Sequence, residues 1–214
     1  MIRICKFLIV ILFFSIATEC VGADRAPGLN VVIPDPNLEL AIREAIGKAH
    51  APIYVKDLEG LTELNAQEKG IVDITGLEYC TNLEVLNLGG HNKITDISPL
   101  SQLVNLEWLN LEFNEITDIS PLSKLVNLKV LDLGGRSLNV RHNWITDISP
   151  LSQLVNLKVL DLAWNEITDI APLVRNAGLS KGDEVDLAGN PLSKESRNVY
   201  IPELRQRGVF VRFY

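Results

Sequence analysis

Reactive and cross-linking chemistry is scarce in this sequence. Of its three cysteines, Cys5 and Cys20 fall within the first twenty residues, so Cys80 stands alone in the remainder and no intrachain disulfide framework is available there. Lys plus Arg number 20 against 27 Asp plus Glu, giving a net charge of −7, and no Lys- or Arg-rich run is present. That balance excludes the electrostatic footprint of a nucleic-acid binder. Enzyme motifs are missing as well: there is no GxSxG elbow, no phosphate-binding Gly-rich loop, no HExxH and no His paired by motif with Cys80. What is abundant is leucine and isoleucine, a quarter of the chain, which excludes a disordered polypeptide.

The apolar run Phe7–Ile16 follows Arg3 and Lys6 and gives way to polar Thr18 and Glu19. It is too short for a span of ~20 residues, and Val21 and Ala23 supply small residues at signal-cleavage offsets. Residues 1–23 therefore read as a secretory signal peptide, with no membrane span after cleavage and a secreted, periplasmic or cell-surface destination. Lipidation at Cys20 is disfavoured because Glu19 stands where a small residue is wanted. Residues 24–34 are expected as a linker.

ITDISPL occurs at 94–100, 116–122 and 145–151, with ITDIAPL at 167–173 and IVDITGL at 71–77. Between these lie NLEVLNL at 82–88, NLEWLNL at 105–111 and NLKVLDL at 127–133 and 156–162. The basic period is 22 residues, kept from Leu100 to Leu122 and from Leu151 to Leu173. Inside each unit apolar residues alternate with variable ones, as in a strand with one buried face: Leu86 and Leu88, Leu109 and Leu111, Leu131 and Leu133, Leu160 and Leu162. One unit cannot bury that face alone, so the units must stack and pair their strands in parallel. The proline of each ITDISP ends strand structure and sends the chain back through turns and short 3-10 segments on the convex side.

Asn92, Asn114, Asn143, Asn165 and Asn190 recur after each strand, where an amide can serve backbone groups left unpaired by the turn. Asn82, Asn105, Asn127 and Asn156 form a second structural ladder. Asp73, Asp96, Asp118, Asp147 and Asp169 read as turn acceptors. One acid per repeat falls short of the 6–8 oxygens that calcium takes, and Cys80 occupies the place of Leu103, Leu125 and Leu154, hence the core. Asp35 and Pro36 open a helix running to about Lys48, its apolar face made by Leu38, Ile42, Ala45 and Ile46. At the other end Ser193 is a helix cap, Pro202 a kink or division, Gly208 a stop and Val209–Phe213 a strand. Both ends of the array are thus expected to be capped and the solenoid whole. The domain order is a helical N-terminal cap at 35–60, repeats at 61–190 and a helix-strand C-terminal cap at 191–214.

The repeat phrase, the helical cap and the closing NPLSKESRNVYIPELRQRGV resemble bacterial leucine-rich repeat proteins of the internalin-like type, over roughly residues 35–214. The resemblance implies an α/β leucine-rich repeat solenoid, a horseshoe with a curved parallel sheet, that is non-enzymatic and holds protein partners on its concave face. No cofactor and no metal are implied. No wall-sorting tail follows the last cap, so retention at a cell wall would need another device.

The variable strand positions give six concave rows: Glu63, Asn65, Gln67, Glu68; Val85, Asn87, Gly89, Gly90; Trp108, Asn110, Glu112, Phe113; Val130, Asp132, Gly134, Gly135; Val159, Asp161, Ala163, Trp164; and Glu184, Asp186, Ala188, Gly189. They contain seven acids and no Lys or Arg. An apolar, aromatic centre with acids around it fits a basic protein or peptide, with Trp108, Phe113, Trp164, Val85, Val130, Val159, Asn110, Glu112, Asp132 and Asp161 as contacts. Aromatics beside acids and amides also suit a glycan, and a structural envelope spacer with no concave ligand is a third reading. The unit from Leu122 to Leu151 is 29 residues long, and its extra residues, about Arg136–His142, are expected to bulge from the rim with Arg136 and Arg141 as further contacts. Trp144 packs beneath this bulge or extends the surface. His91 and His142 are expected two strands apart, about 10 Å, too far to share a zinc ion. The chain is expected to be a monomer.

Overall fold

The computed structural model describes residues 28–135 and 143–214, so the expected signal segment and Arg136, Arg141 and His142 lie outside the described residues. Seven strands form one parallel sheet in chain order: β1 (Glu63–Asn65), β2 (Val85–Asn87), β3 (Trp108–Asn110), β4 (Val130–Asp132), β5 (Val159–Asp161), β6 (Glu184–Asp186) and β7 (Phe210–Arg212). The central residue of each, from Leu64 through Leu86, Leu109, Leu131, Leu160 and Val185 to Val211, is buried. Its two neighbours in the strand face the other way, as the period-2 pleat requires.

The return path behaves as the prolines dictate. Short 3-10 turns occupy Leu77–Tyr79, Ser98–Gln102, Ser120–Lys124 and Ser149–Gln153, the last three with proline in the first turn, where its missing N–H costs nothing. Asp96, Asp118 and Asp147 each accept from the backbone N–H two residues on, at 2.8 Å, and from the hydroxyl of the same serine. The last return differs: Ala171–Arg175 is an α-helix, α3. Asn82, Asn105, Asn127 and Asn156 each donate to a carbonyl of the preceding unit at 2.8–2.9 Å, so the second ladder is structural.

The first ladder lies deeper. Asn114 accepts from Ile94 N–H and donates to the carbonyls of Leu88 and Leu111; Asn143 does the same for Ile116, Leu111 and Leu133, and Asn165 for Ile145, Leu133 and Leu162. Each amide thus joins consecutive units through groups the strand turn leaves unpaired. Asn92 and Asn190 repeat the scheme at the ends.

At the N-terminal end α1 (Pro36–Ile46) is capped by Asp35 and stopped by Gly47 in the left-handed region, so the helix ends two residues short of the expected Lys48. Its buried face is Leu38, Ala41 and Ile42, while Ala45 is exposed. Asp35 does more than cap. One carboxylate oxygen accepts from Asn37 and Leu38, and the other from Val72 and Asp73 in the first repeat. Burial would raise the Asp35 pKa, but those four donors outweigh it and hold the carboxyl below its ordinary value. The expected linker is corrected over its described part: Val31 and Ile33 are buried, Val31 N–H donates to Ile53, and Asn30 bridges Tyr54 antiparallel beside a short helix, α2 (Val55–Leu58).

At the other end the Ser193 hydroxyl accepts from Ser196 N–H, and a π turn at Ser196–Tyr200 leads into α4 (Ile201–Gln206). Pro202 cannot supply the N–H of a regular α turn, and the helix divides next to it. Phe210–Arg212 then joins the repeat sheet as its seventh strand.

Two outcomes follow from these contacts. Asn114→Leu strands one N–H and two carbonyls in the core and is expected to cost about 3 kcal/mol or more, whereas Asn105→Ala on the exposed ladder costs about 1 kcal/mol, as read from urea midpoints. Asp35→Asn is expected to cost about 2 kcal/mol at pH 7. Because the folded-state pKa of Asp35 is depressed, its contribution is full above the unfolded value of ~3.9 and is lost as pH falls through the folded one. The gap between parent and variant should therefore close on acidification, and a gap unchanged from pH 7 to pH 2 would refute this account.

Candidate functional site

Strand register settles what the exposed face carries. Glu63, Val85, Trp108, Val130, Val159, Glu184 and Phe210 stand side by side in one column. Asn65, Asn87, Asn110, Asp132, Asp161, Asp186 and Arg212 form the next. Trp108, Val85 and Val130 are half-buried and Val159 is exposed. The expected apolar line is thus continuous across four strands, about 4.8 Å apart.

The second column has an internal task that the sequence reading did not assign to it. Each of its Asn or Asp side chains, from Asn65 to Asp186, accepts the backbone N–H two residues on, at 2.8–3.2 Å, closing the turn after the strand. Asn110 is buried, 7% exposed, and is a turn-closing residue first. Asp132 and Asp161 do this work as well as presenting charge to the face. A Cβ at Gly134 would press on the Asp161 carboxylate, which could make room only by giving up its turn-closing bond from the Ala163 N–H.

The third feature is the rim. Phe113 and Trp164, both half-buried, have φ of 54° and 58°, a left-handed backbone that bulky residues rarely adopt; Glu68, Gly90 and Gly189 hold the matching places in other units. The Phe113 ring lies 4.8 Å from that of His91, and the Trp164 indole packs against Gly189. The two aromatics therefore lean apart, towards opposite ends of the array. Glu112 is half-buried beside Phe113, and Trp144 is 47% exposed just after the ladder residue Asn143.

Charge on this face departs from the expected uniform acidity. The seventh strand adds Arg212, which pairs with Asp186. At the N-terminal edge of the strands Lys129 pairs with Glu107 at 2.7 Å and Lys158 with Asp183 at 3.3 Å. The concave rows of the sequence lack these cations because β7 has no repeat partner there and Lys129 and Lys158 precede their strands. Among the described residues no cation pairs with Glu63, Glu68, Glu84 or Glu112, nor with Glu184 on β6, but Glu184 shares its hollow with Lys181, Arg205, Arg207 and Arg212.

Three hollows open along the face. One of about 620 Å³ lies between Glu63 and Trp108 over Val85. A polar one of about 500 Å³ is walled by Trp164, Asp161, Asp186 and Arg212. The largest, about 1070 Å³, lies between β5–β7 and the C-terminal cap. Among the described residues no group of three His, Cys, Asp or Glu side chains is arranged to hold a metal, and no helix is long and apolar enough to cross a membrane.

A family profile described as "Leucine Rich repeats (2 copies)" matches residues 59–102, 104–137 and 136–175, more than half of the chain. The chain belongs to the leucine-rich repeat family. Within it the protein is of the internalin-like, bacterial type. It is 42% identical over 69 residues to Internalin H of Listeria monocytogenes serovar 1/2a, a match covering 31% of this chain and 12% of that protein. It is 33% identical over 66 residues to Internalin C of Listeria monocytogenes serotype 1/2a, covering 30% of this chain and 22% of the other. The crystal structure of an internalin (inlF) from Listeria monocytogenes superposes with a TM-score of 0.63 at 30% identity, over 87% of this chain and 59% of that one. The matched segments thus span an eighth to a fifth of the curated relatives and under two thirds of the solved structure. Family and fold together support a protein-interaction module.

Cys80 offers the repeat protein no nucleophile. It is fully buried, and burial, reinforced by the charge of Glu78, pushes its thiol up to about 12. Thiol reagents such as dithionitrobenzoate are expected to leave Cys80 unmodified in the native chain from residue 24 and to titrate one thiol after denaturation in guanidinium. Rapid native reaction would overturn that placement.

Proposed function

We propose that this protein is an exported, non-enzymatic recognition module that holds a basic protein or peptide on its concave sheet face. Export rests on the pattern of residues 1–23. One observation carries the rest: Phe113 and Trp164 occupy left-handed backbone positions at the concave rim. Such a position costs a bulky residue roughly 1–3 kcal/mol, and other units fill it with Gly90, Gly189 or the unbranched Glu68. Stability alone gives no reason to keep aromatics there, whereas half-exposed Phe and Trp on the sheet that also presents Trp108 are what a partner would bury. Acids around them steer a positive ligand and make the association salt-sensitive. The Trp164 hollow, with Asp161, Asp186 and Arg212, favours a glycan as the second reading, since a flat indole beside polar groups suits a sugar ring.

Affinity capture from secreted and surface extracts, with the chain from residue 24 beside its Trp108→Ser, Phe113→Ser, Trp164→Ser variant, tests the proposal. A protein retained only by the parent, and released by high salt, is the expected outcome. Equal recoveries would favour the spacer reading, and capture of soluble glycan that resists high salt would favour the sugar. Phe113→Gly separates structure from recognition. It should keep stability within about 1 kcal/mol of the parent, since glycine relieves the left-handed strain, yet weaken partner retention.

A further inference from the structure

The concave face is not equivalent along its length, and the difference selects a place for a cation. Towards the C-terminal end cations are at hand: Asp183 pairs with Lys158, Asp186 pairs with Arg212, and the large hollow that holds the exposed Glu184 is lined by Lys181, Arg205 and Arg207 as well. Towards the N-terminal end the reverse holds. The hollow of about 620 Å³ is lined by Glu63, Leu64, Asn65, Val85, Asn87 and Trp108, with no Lys or Arg among them. Glu63 is exposed and pairs with no described cation, and the same is true of its neighbour Glu84.

Geometry gives this hollow a direction. Glu63 and Trp108 flank Val85 in one column, two strand spacings or about 10 Å apart, so an acid stands at one wall, an indole at the other and an apolar floor between. The amide oxygens along its other side already have donors: Asn65 and Asn87 each close a backbone turn, and the Asn87 side-chain N–H₂ donates to Gln67 at 3.1 Å. Polar specificity in the hollow therefore comes from the Glu63 carboxylate, and affinity from the indole and the valine.

We propose that this hollow is an anchor pocket for an arginine side chain of the protein or peptide partner. The aliphatic stem lies on Val85, and the guanidinium stacks on the Trp108 ring while donating to Glu63. Arginine fits better than lysine because its planar cation can stack on an indole and present a two-pronged donor to a carboxylate, whereas ammonium is a strongly hydrated point charge. The inference rests on the recognition reading above and narrows it to one side chain at one end of the face.

Fluorescein-labelled octaarginine, followed by anisotropy at low salt, is the probe. Binding is expected to weaken tenfold or more in Trp108→Leu and three- to tenfold in Glu63→Gln. It should change less than twofold in Glu166→Gln, an exposed acid that follows the ladder residue Asn165 outside the concave columns, and octalysine should bind more weakly than octaarginine. Trp108→Phe, expected to fall between parent and leucine variant, guards against a folding defect, as does the exposure of Glu63. No binding of octaarginine, equal binding of octalysine, or equal losses in the Glu63 and Glu166 variants would overturn the pocket. If the pocket fails while extract capture still depends on the concave aromatics, the wider recognition reading stands; if capture is indifferent too, both fall.

Discussion

A parallel sheet made of three-residue strands has more ends than middle, and at every end a backbone N–H or C=O leaves its ladder without a partner. Buried polar groups left in that state would cost about 1–3 kcal/mol each. The amides of Asn92, Asn114, Asn143, Asn165 and Asn190 remove the problem, because a carboxamide donates and accepts at once and so can bind two consecutive units. Every other regularity follows from that bond. With the turn fixed, leucines of successive units arrive at the same depth, the proline returns keep the same length, and the core is one continuous column of aliphatic side chains.

The same need for turn acceptors reaches the exposed face. Asn65, Asn87, Asn110, Asp132, Asp161 and Asp186 look outward, yet each spends an oxygen on the N–H two residues along. Either amide or carboxylate can do that work, so the repeat tolerates both, and the choice between them sets surface charge without disturbing the fold. That freedom explains how a regular scaffold presents amides at its N-terminal end and acids at its C-terminal end in one unbroken column.

Legibility in the sequence tracked periodicity. Strand register, the two asparagine ladders, the ITDISP turns and the core place of Cys80 could all be read because each position is checked several times by its copies in other units. Where a position occurs once, that check vanishes. Residues 30–33 looked like a linker because no repeat partner reveals that Val31 and Ile33 are buried. Phe210–Arg212 read as part of a cap, so Arg212 was absent from the face it joins. The left-handed backbone of Phe113 and Trp164 was hidden in a different way. Aligning them with Gly90 and Gly189 would have exposed it, since glycine alternating with bulky residues at one turn position is a signal of positive φ.

These features together bear on how a rigid solenoid acquires a preferred end. The hydrogen-bonded column fixes the positions of the turn-closing side chains, so discrimination falls to side chains that the fold does not claim. Along the first column those are Glu63, Val85, Trp108, Val130, Val159 and Glu184, none of which closes a turn. Three valines and a tryptophan give that column affinity without direction, because apolar contact is indifferent to orientation. Direction requires a gradient in charge. Cations supply it: among the described residues Lys158 and Arg212 pair with Asp183 and Asp186 and Lys181, Arg205 and Arg207 line the hollow of Glu184 at one end, whereas no Lys or Arg lines the hollow between Glu63 and Trp108 at the other. A positive segment laid along the valine line would therefore meet an acid free of neighbouring cations at Glu63, and an acid set among lysine and arginine at Glu184.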